Sequence, residues 1–200
     1  MQTRVKALTM MDALFPDVSR ARDIARDIFL VIGFAAITAL CAQISIPVGI
    51  VPITGQTFGV LLTGALLGSK RGSLSMCTYV AMGATGMPFW FTPGTSLGVA
   101  RLVGPSGGYI IGFIIAAFAV GYLVEHRWDR RVWTMATAVL LGLACIYACG
   151  IAWLAHFVPA GILLKVGLIN FLAGEAVKLA LLAASLPGGW YLMKRLDAKQ

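Results

Sequence analysis

A glutamate and a lysine, Glu175 and Lys178, stand inside an otherwise uncharged apolar run, Leu-Ala-Gly-Glu-Ala-Val-Lys-Leu-Ala-Leu-Leu over 172–182. The chain has 8 acidic residues, and the other seven lie outside its apolar runs. A charge at bilayer depth costs roughly 2.5–3.5 kcal/mol, so residues of this kind are paired and functional as a rule. Three positions apart on a helix, the two side chains lie within about 60° of each other. Together they offer acceptors beside donors, which matches a neutral polar ring carrying both N–H and C=O, such as a urea or an amide. The alternative is a plain ion pair that staples two helical turns or meets another helix.

Other sparse polar groups favour a pocket. Asn170 and Gly174 fall on the adjoining stripe of the same expected helix, and Gln56 enters a short apolar hairpin from the same side. Several such groups at one depth are the signature of a ligand site. Arg101 stands alone among apolar neighbours, where it suits a carboxylate or phosphate on an incoming solute. It lies within Met87–Gly104, the longest loop, whose Phe89-Trp90-Phe91 reads either as an interfacial aromatic belt or as ligand cover. Gly104-Pro-Ser-Gly-Gly-Tyr109 opens the next helix with Pro in the first turn, a Ser cap and exposed amides, an anion-facing start.

Enzymatic chemistry finds little support. The two histidines, His126 and His156, are far apart and form no His-Glu-x-x-His motif. No Gly-x-Ser-x-Gly elbow is present, nor a Gly-x-x-x-x-Gly-Lys-Ser/Thr phosphate loop, so any ATPase belongs to another chain. Cys145 and Cys149 share a helix face near His156 without an accompanying carboxylate. Cysteine used as a small apolar membrane residue is expected there, with neither metal nor disulfide.

The elements that must carry these residues are membrane helices. The chain has 200 residues, 59% hydrophobic and 12% charged, with mean hydropathy +0.87. Apolar runs approach the ~20 residues that cross a bilayer. We expect an all-α membrane protein with six transmembrane helices near Ile28–Ile46, Thr57–Gly68, Leu74–Thr85, Ser106–Val124, Val132–Phe157 and Val166–Met193. The net charge of +8 then sorts by side. Arg4, Lys6, Arg20, Arg22, Arg26, Lys70, Arg71, Arg127, Arg130, Arg131, Lys194, Arg195 and Lys199 share one face, and Arg101 and Lys165 take the other. That is the positive-inside pattern, with both termini cytoplasmic in a multi-pass protein of the cell (inner) membrane, and it excludes nucleic acid as the partner of the basic charge. Residues 1–27 read as a cytoplasmic leader helix without a cleavable signal, 28–194 as the six-helix domain and 195–200 as a cytoplasmic tail. The second and third runs are short and joined by Gly68-Ser-Lys-Arg-Gly72, which predicts a hairpin lining a cavity. Ala35, Ala39 and Ala42 make a small-residue face, suited to close packing within the chain or to docking a partner.

Several strings resemble the BioY family, the biotin-binding S components of energy-coupling-factor (ECF) transporters. They are Ile46-Pro47, Val51-Pro-Ile-Thr-Gly-Gln-Thr57, Gly64-Ala-Leu-Leu-Gly68, Gly86-Met-Pro88, Gly104-Pro-Ser-Gly-Gly-Tyr109 and Gly174-Glu175 with Lys178. The resemblance implies a six-helix S-component fold holding one biotin, with no resident cofactor. It implies as partners a transmembrane coupling subunit and paired ATPases, docked through Ala35 and Ala39. By the same resemblance Glu175 accepts ureido N–H groups, Lys178 donates to the ureido carbonyl and Arg101 meets the valerate carboxylate. Gln56, Trp90 and Tyr147 line the pocket. The chain departs from the family's usual Pro-Gly-Asp with Ala173-Gly174-Glu175, an acid one methylene longer, and its loop reads Pro93-Gly-Thr-Ser-Leu-Gly98 without paired glycines. A stand-alone proton- or ion-coupled carrier of biotin or a related small carboxylate, with Glu175 as the proton site, is the other reading of an intramembrane acid without an ATPase motif.

Overall fold

The structure is a computed structural model that describes residues 9–14, 19–93 and 96–197. The expectations for Arg4, Lys6, Gly94, Thr95 and Lys199 lie outside those residues. The protein is mostly helical. In chain order it forms α1 (Met10–Leu14), α2 (Arg20–Gln43), the strands β1 (Ser45–Ile46) and β2 (Ile53–Thr54), α3 (Gln56–Ala84) and α4 (Val99–Val103). α5 (Gly107–Glu125), α6 (Val132–Leu154), α7 (Ala160–Gly167) and α8 (Leu172–Asp197) follow. Among the described residues, four stretches are long and apolar enough to cross a membrane: Arg20–Gln43, Gly107–Glu125, Val132–Leu154 and Ala160–Tyr191. The small antiparallel hairpin, with Ser45 opposite Thr54, is a departure from an all-α chain. Pro47 and Pro52 open and close the loop between its strands, and both disfavour helix continuation. The Arg/Asp-rich residues from Arg20 onward are the opening turns of α2 and not a separate helix.

α3 is not one rod. At Gly68 the backbone takes φ 84° and ψ −175°, and the chain reverses. Gln56 Nε2 donates to the Tyr79 hydroxyl at 2.6 Å, whereas a straight helix would hold them about 34 Å apart. The short-hairpin expectation therefore corresponds to two limbs, 56–67 and 69–84, laid side by side. Glycine is required at the turn for two reasons. A positive φ disfavours any L side chain, and a Cβ here would sit 2.6 Å from Glu125 Oε1. That carboxylate, from the end of α5, accepts the Ser69 backbone N–H at 2.8 Å and the Ser69 hydroxyl at 2.9 Å. It supplies an anionic cap where the second limb begins. Gly68→Ala is expected to cost about 1–2 kcal/mol from backbone strain alone. A clear drop in melting temperature in detergent would show it, and an unchanged melt would mean the turn relaxes freely.

α5 is the most enclosed of the long helices and runs against both limbs of α3 and against α6. Its Gly121 comes so close to the turn that a Cβ would lie 2.3 Å from the Gly68 carbonyl carbon. The same end of the bundle gathers most of the described charge. Arg71 pairs with Asp12 and, at 3.2 Å, with Asp27. Trp190 Nε1 donates to the fully buried Asp129, and the Arg130 guanidinium lies 3.3 Å over the Trp190 ring. Burial pushes the Asp129 carboxyl above its ordinary range, and the Trp190 and Arg130 contacts pull it back.

The small-residue face of α2 turns inward. Ala35 is 0% and Ala39 5% exposed, so both pack within the chain itself. The physical reason is the neighbouring limb: a Cβ on Gly59 would stand 3.1 Å from Thr38 Cα, and one on Gly55 2.6 Å from the Cys41 carbonyl oxygen. Backbones that close leave no room for a third helix. Ser75 Oγ adds a buried bond to the Val31 carbonyl at 2.8 Å. Bulky residues such as Phe29 and Leu40 take the exposed side of α2.

Candidate functional site

Glu175 lies in the first turn of α8, where the helix dipole favours an anion. It is 5% exposed, yet its charge is well matched. Thr57 Oγ1 donates toward Oε1 at 2.9 Å and Oε2 at 3.1 Å. Tyr147 OH donates to Oε1 at 3.2 Å and Lys178 Nζ to the same oxygen at 2.9 Å. Donors thus crowd one oxygen, and Oε2 keeps acceptor capacity.

Lys178 makes three bonds: to Glu175, to Thr57 Oγ1 at 2.8 Å and to the Thr54 carbonyl at 2.6 Å. An ammonium has three N–H groups, and all are engaged. The ion pair expected from the i, i+3 spacing is present, and it also reaches across the fold to the entry of α3. Lys178 sits behind Glu175 and not on the pocket wall.

A pocket opens beside this cluster. Glu175, Gln56, Arg101 and Tyr147 line it, as do Thr54, Thr57, Ser106, Tyr109, Phe113 and Phe171. The wall is aromatic on one side: Tyr109 meets Tyr147 edge-on at 5.9 Å between ring centroids, and Phe171 lies 6.0 Å from Tyr147. Tyr109 is anchored by a 2.8 Å bond to the Gly167 carbonyl, and its ring fills the space beside Gly150, where a Cβ would come within 2.3 Å.

Arg101 reaches the pocket from α4, buried to 8% exposure. Its Nε has no hydrogen-bond partner among the described residues. A buried donor left unpaired is costly, and burial pushes the guanidinium pKa down. Its Nε is free to meet an acceptor that none of the described residues provides.

Two predicted residues stand elsewhere. Asn170 is exposed in the 3₁₀ turn Ile169–Phe171, because α8 begins only at Leu172, so it does not widen the polar notch. Trp90 is half-buried and is not among the lining residues. Its indole N–H bonds the Tyr79 carbonyl at 2.8 Å and its ring stacks on Tyr79. Of the aromatic triplet, Phe91 is core beside Gly83, while Phe89 is 80% exposed. Belt and internal packing thus divide the triplet between them.

Thr57, Ser106, Tyr109 and Phe171 escaped the search for charged groups. Thr57 and Tyr109 close the Pro-Ile-Thr-Gly-Gln-Thr and Gly-Pro-Ser-Gly-Gly-Tyr strings, a signal that was legible. Ser106 makes no cap bond and turns to the pocket instead. Phe171 carried no signal, since its turn reads as continuous helix. The glycines of the second string serve close packing: a Cβ on Gly107 would meet the Leu102 carbonyl oxygen and one on Gly108 the Trp153 side chain.

Residues 6–195 match the sequence model of the BioY family. The chain is 42% identical over 156 residues to a probable biotin transporter BioY of Pyrococcus horikoshii, covering 78% of this chain and 91% of that protein. It is 40% identical over 153 residues to the biotin transporter BioY of Thermotoga maritima, covering 75% and 87%. The crystal structure of the S component for biotin from an ECF-type ABC transporter superposes with a TM-score of 0.75 at 26% identity. That match covers 86% of this chain and 93% of that one.

Proposed function

The chain belongs to the BioY family, and we propose on that footing that it binds biotin as the substrate-binding S component of an ECF-type transporter. It sits in the cell membrane with six spans, the two limbs of α3 counted separately, and with both termini in the cytoplasm. A transmembrane coupling subunit and paired ATPases supply the energy.

The observation that carries this reading is the pairing of chemistries in one pocket. Glu175 presents an acceptor edge, Arg101 an unpartnered cation, and aromatic rings stand with them. Biotin needs all three: an acceptor for its ureido N–H groups, apolar cover for its fused rings and a cation for its carboxylate. Lys178 holds Glu175 in orientation; its own donation to a ureido carbonyl requires giving up one of its three existing bonds. The aromatic walls supply most of the contact area. The test is equilibrium binding of labelled biotin to purified protein in detergent. Saturable one-to-one binding, displaced by unlabelled biotin, is the expected result, and binding that never saturates overturns the assignment.

A further inference from the structure

Beneath the pocket wall lies a buried polar chain that none of the ligand-facing roles uses. Gln56 donates through Nε2 to the Tyr79 hydroxyl at 2.6 Å, and Tyr79 donates onward to the Trp90 carbonyl at 3.4 Å. Gln56 Oε1 accepts from Thr54 Oγ1 at 2.9 Å and Thr92 Oγ1 at 3.3 Å. Tyr79 is 0% exposed and does not line the pocket, whereas Gln56 does.

A phenol has one proton. In the flipped amide, Tyr79 would turn that proton to Gln56 and abandon the Trp90 carbonyl. The Thr54 hydroxyl, which already accepts the Gln56 backbone N–H at 3.3 Å, would also have to accept the side chain. The observed orientation satisfies every group and leaves one Gln56 N–H unspent. We propose that Tyr79 is a positioning residue: through the Tyr79–Trp90 bond it locks the Gln56 amide so that this wall of the pocket presents a donor, and the ligand must place an acceptor atom there. The specificity of the site is thereby tied to the loop that carries Trp90 and Thr92.

This inference rests on the biotin reading, and its test separates the two. Biotin affinity is measured for Tyr79→Phe, Gln56→Leu and the double variant. Tyr79→Phe is expected to weaken binding about tenfold alone and less than about twofold when Gln56 is already leucine. Equal losses in both backgrounds mean that Tyr79 acts only on packing, and they overturn the proposal. A second readout needs no ligand. In protein labelled with ¹⁵N-glutamine, the Gln56 side-chain amide should exchange slowly with water and become fast in Tyr79→Phe; an amide unmoved by that change overturns the proposal too. Wild-type protein without saturable biotin binding overturns the biotin reading alone, and the amide signal then decides the role of Tyr79.

Discussion

Glu175→Gln is expected to weaken biotin binding about 100-fold with little change in the fold. The substitution keeps size and shape and alters two things. It removes the charge opposite Lys178, whose three donors are arranged around that carboxylate and its neighbours. It also replaces one carboxylate oxygen by an NH₂, so that a donor meets the ligand's N–H where an acceptor stood. Hydrogen bonds to charged groups contribute about 1.5–3 kcal/mol each, and about 1.4 kcal/mol is tenfold in affinity. Glu175→Asp keeps the charge and the acceptor and so should lose far less. Calorimetry on the three proteins decides the point. Wild-type affinity in Glu175→Gln would remove Glu175 from the contact surface and leave it a structural pair with Lys178.

Arg101→Met is expected to weaken biotin binding by about 2–5 kcal/mol, the range for truncating one partner of a buried charge pair. The same variant should bind biotinamide as the wild-type protein does, because a neutral amide has no charge for the guanidinium to meet. Methionine retains the buried stem, so packing against the pocket wall is preserved. The contrast between the two ligands is the informative quantity. An equal loss for acid and amide would make Arg101 a support for the α4 loop, and no loss for either would place the carboxylate elsewhere. The unpaired Nε makes a loss confined to the acid the expected result.

Much of the site could be read from the chain because charge in an apolar helix is costly wherever the helix packs. Glu175, Lys178 and Arg101 stand out by that argument alone, and all three are close to the pocket or on it. Gln56 was legible as a polar residue entering the short hairpin, and the family resemblance added Tyr147; both line the pocket. Residues whose role depends on the exact start of a helix were harder to place. Asn170 was expected on the helix of Glu175, but a 3₁₀ turn precedes Leu172 and rotates it outward. The order of Lys178 behind Glu175 was equally hidden, since i, i+3 spacing sets proximity and not which partner faces the cavity.

The inward turn of Ala35 and Ala39 has the same origin. A stripe of small residues signals close approach without naming the approaching helix. The answer came from Gly55 and Gly59 on a neighbouring limb, far enough along the chain that no local pattern connects them. What the amino-acid sequence by itself determined is therefore the class of protein, the membrane-spanning character and the charged residues that gather at the pocket, all consequences of where apolar runs exclude charge. What only the tertiary structure decided is direction. The reversal at Gly68 carries Tyr79 back to Gln56, and the packing of α8 on α3 sets Thr57 against Glu175. The physical reason is that burial energies depend on residue type, which is written in the chain, while hydrogen-bond partners depend on distances of a few tenths of an ångström between segments that meet only after folding.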